Sequence, residues 1–156
     1  LYVLNKFIKK YKSFIYLDRG SDERQFGSPG IDLPLCSIMR SKYGTYPEYH
    51  TSLDNLDFVS QKGLEGGLNA LKKAIEAIEN NFKPKINVLC EPQLGKRGLY
   101  PTLSTNDSSK TVATLMDFIS YADGEKDLLW IANKIKSPIW ETYKIVEKLK
   151  RVGLLE

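Results

Sequence analysis

His50 is the single histidine among 156 residues, and it stands in the run Tyr46-Pro47-Glu48-Tyr49-His50-Thr51-Ser52-Leu53-Asp54. A neutral imidazole with aromatic and acidic neighbours is a candidate metal ligand. A catalytic metal needs about three protein ligands, so His50 has to recruit the others from elsewhere. Upstream lies the charged run Asp22-Glu23-Arg24, and Tyr43, Tyr46 and Tyr49 are placed to line a pocket beside the histidine. Cys36 and Cys90 are far apart and sit among apolar residues, where free thiols behave as small hydrophobes. That pattern points to a reducing, cytoplasmic setting.

Convergence of these groups depends on the elements that carry them. Leu1, Leu4, Ile8 and Tyr11 recur at helical spacing with Lys6, Lys9, Lys10 and Lys12 opposite, which predicts an amphipathic helix over 1–12. Phe14-Ile15-Tyr16-Leu17 reads as a short buried strand, and the alternation of Ile31, Leu33 and Leu35 before Ile38 and Met39 as a second one, although Pro34 removes a ladder donor. If the two strands are parallel, the Asp22-Glu23 loop and the His50 loop open on the same sheet edge, where α/β sites assemble. Leu64, Leu68, Leu71, Ile75, Ile78 and Phe82 then repeat at steps of four and three, a helix whose stripe reads as core with Lys72, Lys73, Glu76 and Glu79 facing water.

Downstream the punctuation changes. Pro84, Pro92, Gly95, Gly98 and Pro101 mark an ordered connector over 83–106, in which only Ile86 to Cys90 suits a strand. Residues 107–156 then read as three short helices: one after a Ser108 or Ser109 cap, one after the Asp123-Gly124 turn, and one capped by Ser137 with Pro138 at its first position. Gly153 is placed to end the last helix in a left-handed cap with Leu154 packing back. A tight turn before the third helix is the pattern of a winged helix-turn-helix.

Charge and hydropathy limit the partners. The net charge is +4, but from Asp107 to Glu156 eight basic residues face eight acidic ones. A neutral module with Glu141 and Glu147 among the lysines of its last helix lacks the basic footprint that phosphate neutralisation requires, so nucleic acid is not the expected partner. The apolar runs are broken by Asp32, Pro34 and Ser37 and fall short of a bilayer span.

Two blocks add a family resemblance. Asp18-Arg19-Gly20-Ser21-Asp22-Glu23-Arg24-Gln25-Phe26 through Pro29-Gly30-Ile31, and Tyr49-His50-Thr51-Ser52-Leu53-Asp54-Asn55-Leu56-Asp57, resemble the late motifs of the zinc-dependent aminopeptidase superfamily with two co-catalytic metals. Met39 to Gly44 and Cys90 to Pro101 are similar to a bacterial aminopeptidase-like subfamily with a C-terminal winged helix, often found near polysaccharide biosynthesis genes. The resemblance covers nearly the whole chain. It implies an α/β fold: the C-terminal part of an aminopeptidase-like α/β/α sandwich over 1–82, the connector over 83–106, and a small winged-helix domain over 107–156.

The resemblance also implies roles. His50 becomes a zinc ligand, Asp22 a catalytic residue beside the substrate, and Glu23, Arg24, Arg40, Tyr43 and Tyr49 substrate-proximal residues. Glu23 departs from the superfamily, which usually has a histidine there. Leu1 is not an initiator methionine, so the remaining ligands (a bridging aspartate, paired glutamates and an earlier His-x-Asp) are expected upstream in a longer protein. Zinc is then expected in that protein and is weak or absent in this chain alone. The implied activity is hydrolysis of a peptide or amide substrate, with the winged helix docking or forming a homo-oligomer. The alternatives are a winged-helix transcriptional regulator and a non-catalytic interaction protein built on a degenerate peptidase scaffold.

Overall fold

A computed structural model describes residues 1–8, 10–100 and 106–155. Lys9, the 101–105 end of the expected connector and Glu156 lie outside the described residues, as does the side chain of Ser108. The chain divides into two compact units, Leu1–Ile75 and Glu76–Glu156. Helices α1 (Tyr2–Phe7), α2 (Ser21–Phe26), α3 (Gln61–Glu79), α4 (Asn106–Tyr121), α5 (Leu128–Lys134) and α6 (Ile139–Arg151) carry the regular structure, with 3-10 turns at Tyr16–Asp18 and Gly95–Arg97. No helix among the described residues is long and apolar enough to cross a membrane.

The first unit corrects the expected α/β/α sandwich. No sheet forms among the described residues; only two isolated antiparallel bridges occur, both in the second unit. Phe14, Ile15, Tyr16 and Leu17 are exposed, and Tyr16 and Leu17 enter the 3-10 turn, with the Asp18 N–H donating to the Ile15 carbonyl at 2.9 Å. In the 31–39 segment the Leu33 N–H bonds Phe26 O at 2.9 Å and the Leu35 N–H bonds Leu33 O at 2.8 Å. These short-range bonds consume the donors that a ladder would need, and Pro34 has none to offer. An alternating pattern proposes a strand, but only a neighbouring strand can make one.

Helix α1 stops at Phe7, because Ile8 turns to an extended conformation at φ −114° and ψ 114°. Helix α2 forms inside the run read as a charged loop. Its signal is the Glu23 carboxylate at the third helical position, which accepts the Gly20 N–H at 2.9 Å. That is the reciprocal half of a capping box; glycine supplies no side chain for the other half.

Helix α3 forms where its periodicity predicts, yet its apolar stripe does not build a core. Leu64, Leu68, Leu71, Ile75 and Ile78 are all exposed, whereas Ala70 and Ala77 are buried. At about 100° per residue the alanines lie roughly a third of a turn from the centre of the stripe. At Gly66 an added Cβ would come within 3.1 Å of the Arg40 guanidinium. The helix packs through its small residues and turns its large ones outward.

The second unit has a three-helix core. Phe118 on α4, Leu128, Ile131 and Ala132 on α5, and Ile139, Thr142 and Leu149 on α6 are buried, and each pair of these helices is in contact. Helix α5 starts at Asp127, whose carboxylate accepts the Trp130 N–H at 2.7 Å. Pro138 occupies the N-cap position of α6 at ψ 140°, one residue before the position expected for it, and the Ser137 hydroxyl reaches Glu141 at 3.3 Å. Gly153 adopts φ 66°, its N–H bonds Lys150 O at 3.0 Å, and the Leu154 N–H bonds Leu149 O at 2.9 Å. This is the Schellman ending expected there, with Leu154 buried.

Part of the 83–100 segment is bonded into this unit. Ile86 bridges Leu155 and Lys85 bridges Asp123. The Asn87 side chain donates to Gly153 O at 2.7 Å, and Leu94 is buried. Three helices with these short pairings give a reduced winged helix.

Candidate functional site around Glu23, Tyr43 and His50

Within the first unit, α2 and the 40–58 loop bring several of the chemically capable side chains together. Tyr43 is the centre. Its hydroxyl donates to Asp18 O at 3.2 Å, and its ring lies over Gly20 so closely that a Cβ there would sit 2.7 Å from Cζ. A side chain at residue 20 would force the Tyr43 ring to shift. The Tyr49 ring lies 6.3 Å from Tyr43 and 5.7 Å from Tyr46, and Tyr46 stacks on Phe58 at 5.5 Å. His50 stacks on Tyr49 at 4.1 Å with a 24° interplanar angle.

His50 is exposed and adopts φ 60°. A left-handed backbone is uncommon outside glycine, and histidine is among the residues enriched there. It is the third residue of the turn in which the Thr51 N–H bonds Glu48 O at 3.1 Å.

The Glu23 carboxylate is held from both sides. One oxygen takes the Gly20 N–H, and the other takes the Ser37 hydroxyl. The Ser37 bond is the main reason its pKa falls below the ordinary 4.5, with the Lys42 charge contributing in the same direction. The carboxylate is therefore ionised at neutral pH. Tyr43 is pushed above 10.0, first by desolvation and then by the Glu23 charge; Tyr46 moves the same way, through desolvation and then Asp54. The Lys42 ammonium lies 4.4 Å from the Tyr43 ring centre and 5.3 Å from that of Phe14. Both tyrosines stay protonated as donors, beside one fixed anion and one cation.

The other expected site residues are placed differently. Asp22 and Arg24 are exposed on α2, and Arg40 extends to Gly66 of α3 instead of joining the tyrosines. Cys36 and Cys90 are free and exposed, not apolar packing residues. A shallow cleft of about 230 Å³ lies beside Glu23, walled by Tyr16, Leu33 and Leu35. It is smaller than the roughly 300 Å³ at which small-molecule pockets begin.

Zinc, implied by the resemblance, does not find a complete donor set among the described residues. No group of three or more His, Cys, Asp or Glu side chains is placed to hold a metal ion among the described residues, so Asp22, Glu23 and Asp54 do not complete a site with His50. Sequence reasoning missed Ser37, Gly20 and Lys42. The Gly20-to-Glu23 spacing carried a capping signal; the Ser37 contact, fourteen residues from Glu23, carried none.

Comparisons with known proteins divide the chain six residues beyond the boundary between its two compact units. Residues 1–81 match the family described as a domain of unknown function (DUF4910), and residues 82–156 match a winged helix-turn-helix family. A Clostridium acetobutylicum protein, provisionally named a polysaccharide biosynthesis protein with an aminopeptidase-like domain, is 41% identical over 139 residues. Those residues are 88% of this chain and 32% of that protein. A crystal structure of a provisionally named peptidase from Clostridium acetobutylicum superposes with a TM-score of 0.75 at 38% identity, covering 89% of this chain and 30% of that one. The chain thus spans about a third of the length of the relatives it matches.

Proposed function

Starting from a chain that belongs to the DUF4910 family and ends in a winged helix, we propose that it forms part of a zinc-dependent aminopeptidase-like hydrolase acting on a peptide or amide substrate. The observation that carries this reading is the similarity, at 38–41% identity over nearly nine-tenths of the chain, to proteins named for an aminopeptidase-like domain and a peptidase. Zinc enters through the motif around His50. Since the described residues assemble no metal site by themselves, His50 contributes one imidazole and the other donors come from polypeptide that the relatives contain and this chain does not span.

Within that reading the chain's own residues have separable tasks. Glu23 keeps its negative charge because Ser37 and the Gly20 N–H hold it, and an ionised carboxylate beside an open cleft favours a substrate amine. Tyr43, fixed over Gly20, positions the 43–49 loop on which His50 rides. The winged helix serves docking or dimerisation: its last helix exposes Glu141 and Glu147 among Lys144, Lys148 and Arg151, a mixed face that opposes phosphate approach.

The test is a chimera in which this chain replaces the matching third of the Clostridium acetobutylicum relative. Elemental analysis should find zinc in the chimera and at least one equivalent less after His50→Ala, with hydrolysis of aminoacyl amides lost in the same variant. Unchanged zinc content removes His50 from the ligand set.

A further inference from the structure

The stripe Leu64, Leu68, Leu71 and Ile75 is continuous along one face of α3, and its members are 65%, 51%, 44% and 57% exposed. A soluble helix normally buries the face that carries its large apolar residues, and contiguous exposed patches of this kind mark interaction surfaces. The total accessible surface is 11790 Å² for 17.8 kDa. Even two independent compact units of half that mass would expose only about 9,600 Å². The surplus of roughly 2,000 Å² exceeds the ~800 Å² that one side of a standard interface buries.

Gly67 lies at the edge of the stripe. Glycine weakens a helix interior, and an added Cβ there would meet nothing within 4 Å. No packing among the described residues calls for a glycine at that point; close approach by another backbone would.

We infer that the α3 stripe is a docking surface for the polypeptide that makes up the remaining two-thirds of the relatives' length. The part of the relatives' length that this chain does not span selects that occupant. The fold described here accounts for 30% of the superposed chain and 32% of the curated relative, and a covalently linked partner is present at high effective concentration. A second copy is the poorer fit. A two-fold dimer buries one self-complementary patch, whereas Leu17, Ile31 and Leu33 are also exposed in the same unit and would stay uncovered by pairing through α3 alone.

Amide exchange across residues 64–75 tests this in metal-free buffer, comparing the 156-residue chain with the chimera described above. Exchange in the chimera should be at least a hundredfold slower than in the chain alone. After cutting the chimera at a protease site inserted at the junction, the two pieces should stay together as a 1:1 complex by sedimentation, and Leu68→Lys with Leu71→Glu should release them while exchange in α6 is unchanged. Equal exchange in chain and chimera overturns the inference, and so does a chain that self-associates through α3 with protection equal to the chimera's. If the double variant disturbs α6, the wild-type comparison alone decides. Because no metal is present, failure here is distinct from failure of the hydrolase reading.

Discussion

Leu68→Ala and Leu149→Ala delete the same atoms from helices that treat leucine in opposite ways. Leu149 is 0% exposed in the three-helix core, and Leu68 is 51% exposed on α3. A buried Leu→Ala costs about 2–5 kcal/mol through lost transfer energy and the cavity left behind. The second unit, about eighty residues long, has a stability of roughly 4–12 kcal/mol at ordinary per-residue values, so Leu149→Ala removes a large share of it. A half-exposed leucine forfeits only about 1 kcal/mol of transfer energy, and alanine's better helix propensity returns a few tenths. The two units need not unfold together, so native-state amide exchange read peptide by peptide is the suitable assay. Leu149→Ala should raise exchange throughout α4 to α6; Leu68→Ala should leave α3 nearly unchanged. A Leu68→Ala penalty equal to that of Leu149→Ala would refute the outward orientation of the stripe.

Asp127→Ala removes the cap on the Trp130 N–H and should cost the second unit about 1 kcal/mol, read as a lower urea midpoint at unchanged slope. Gly67→Ala in the chain alone should stabilise α3 by up to about 1 kcal/mol, since its Cβ finds open space; a loss of helicity would contradict that. Glu23 has a folded pKa below 4.5, chiefly through Ser37. Its contribution to stability is therefore complete above about 4.5 and is lost as pH falls through the lowered folded value. Ser37→Ala should bring the Glu23 titration, followed by carboxyl NMR, back up toward 4.5; an unmoved titration removes Ser37 as the cause. Duplex DNA should bind the chain no tighter than about a micromolar at physiological salt, and tighter, salt-dependent binding by fluorescence anisotropy would favour the regulator alternative.

What the sequence determined by itself was local. Gly153 and Leu154 specify the end of α6 because a left-handed cap and its packing residue lie within one turn of each other, and Asp127 specifies the start of α5 for the same reason. The Tyr43 to His50 run announced an aromatic cluster, and short spacing made it one. The 3.6-residue period of α3 was equally legible. Which side of that helix is covered was not, because a period states that two faces differ and leaves open what each one meets. Alternation at 31–35 had the same limit: a strand takes its hydrogen bonds from a neighbour distant in sequence, and here nearby carbonyls took them first. Glu23 stood out in the sequence by its charged run alone; the engagement of one oxygen by Ser37, brought in by the turn through 27–36, and of the other by the helix start belongs to the fold. Tertiary structure alone decides which polar groups are spent on one another, because that choice depends on distances between residues whose separation along the chain says nothing about their separation in space.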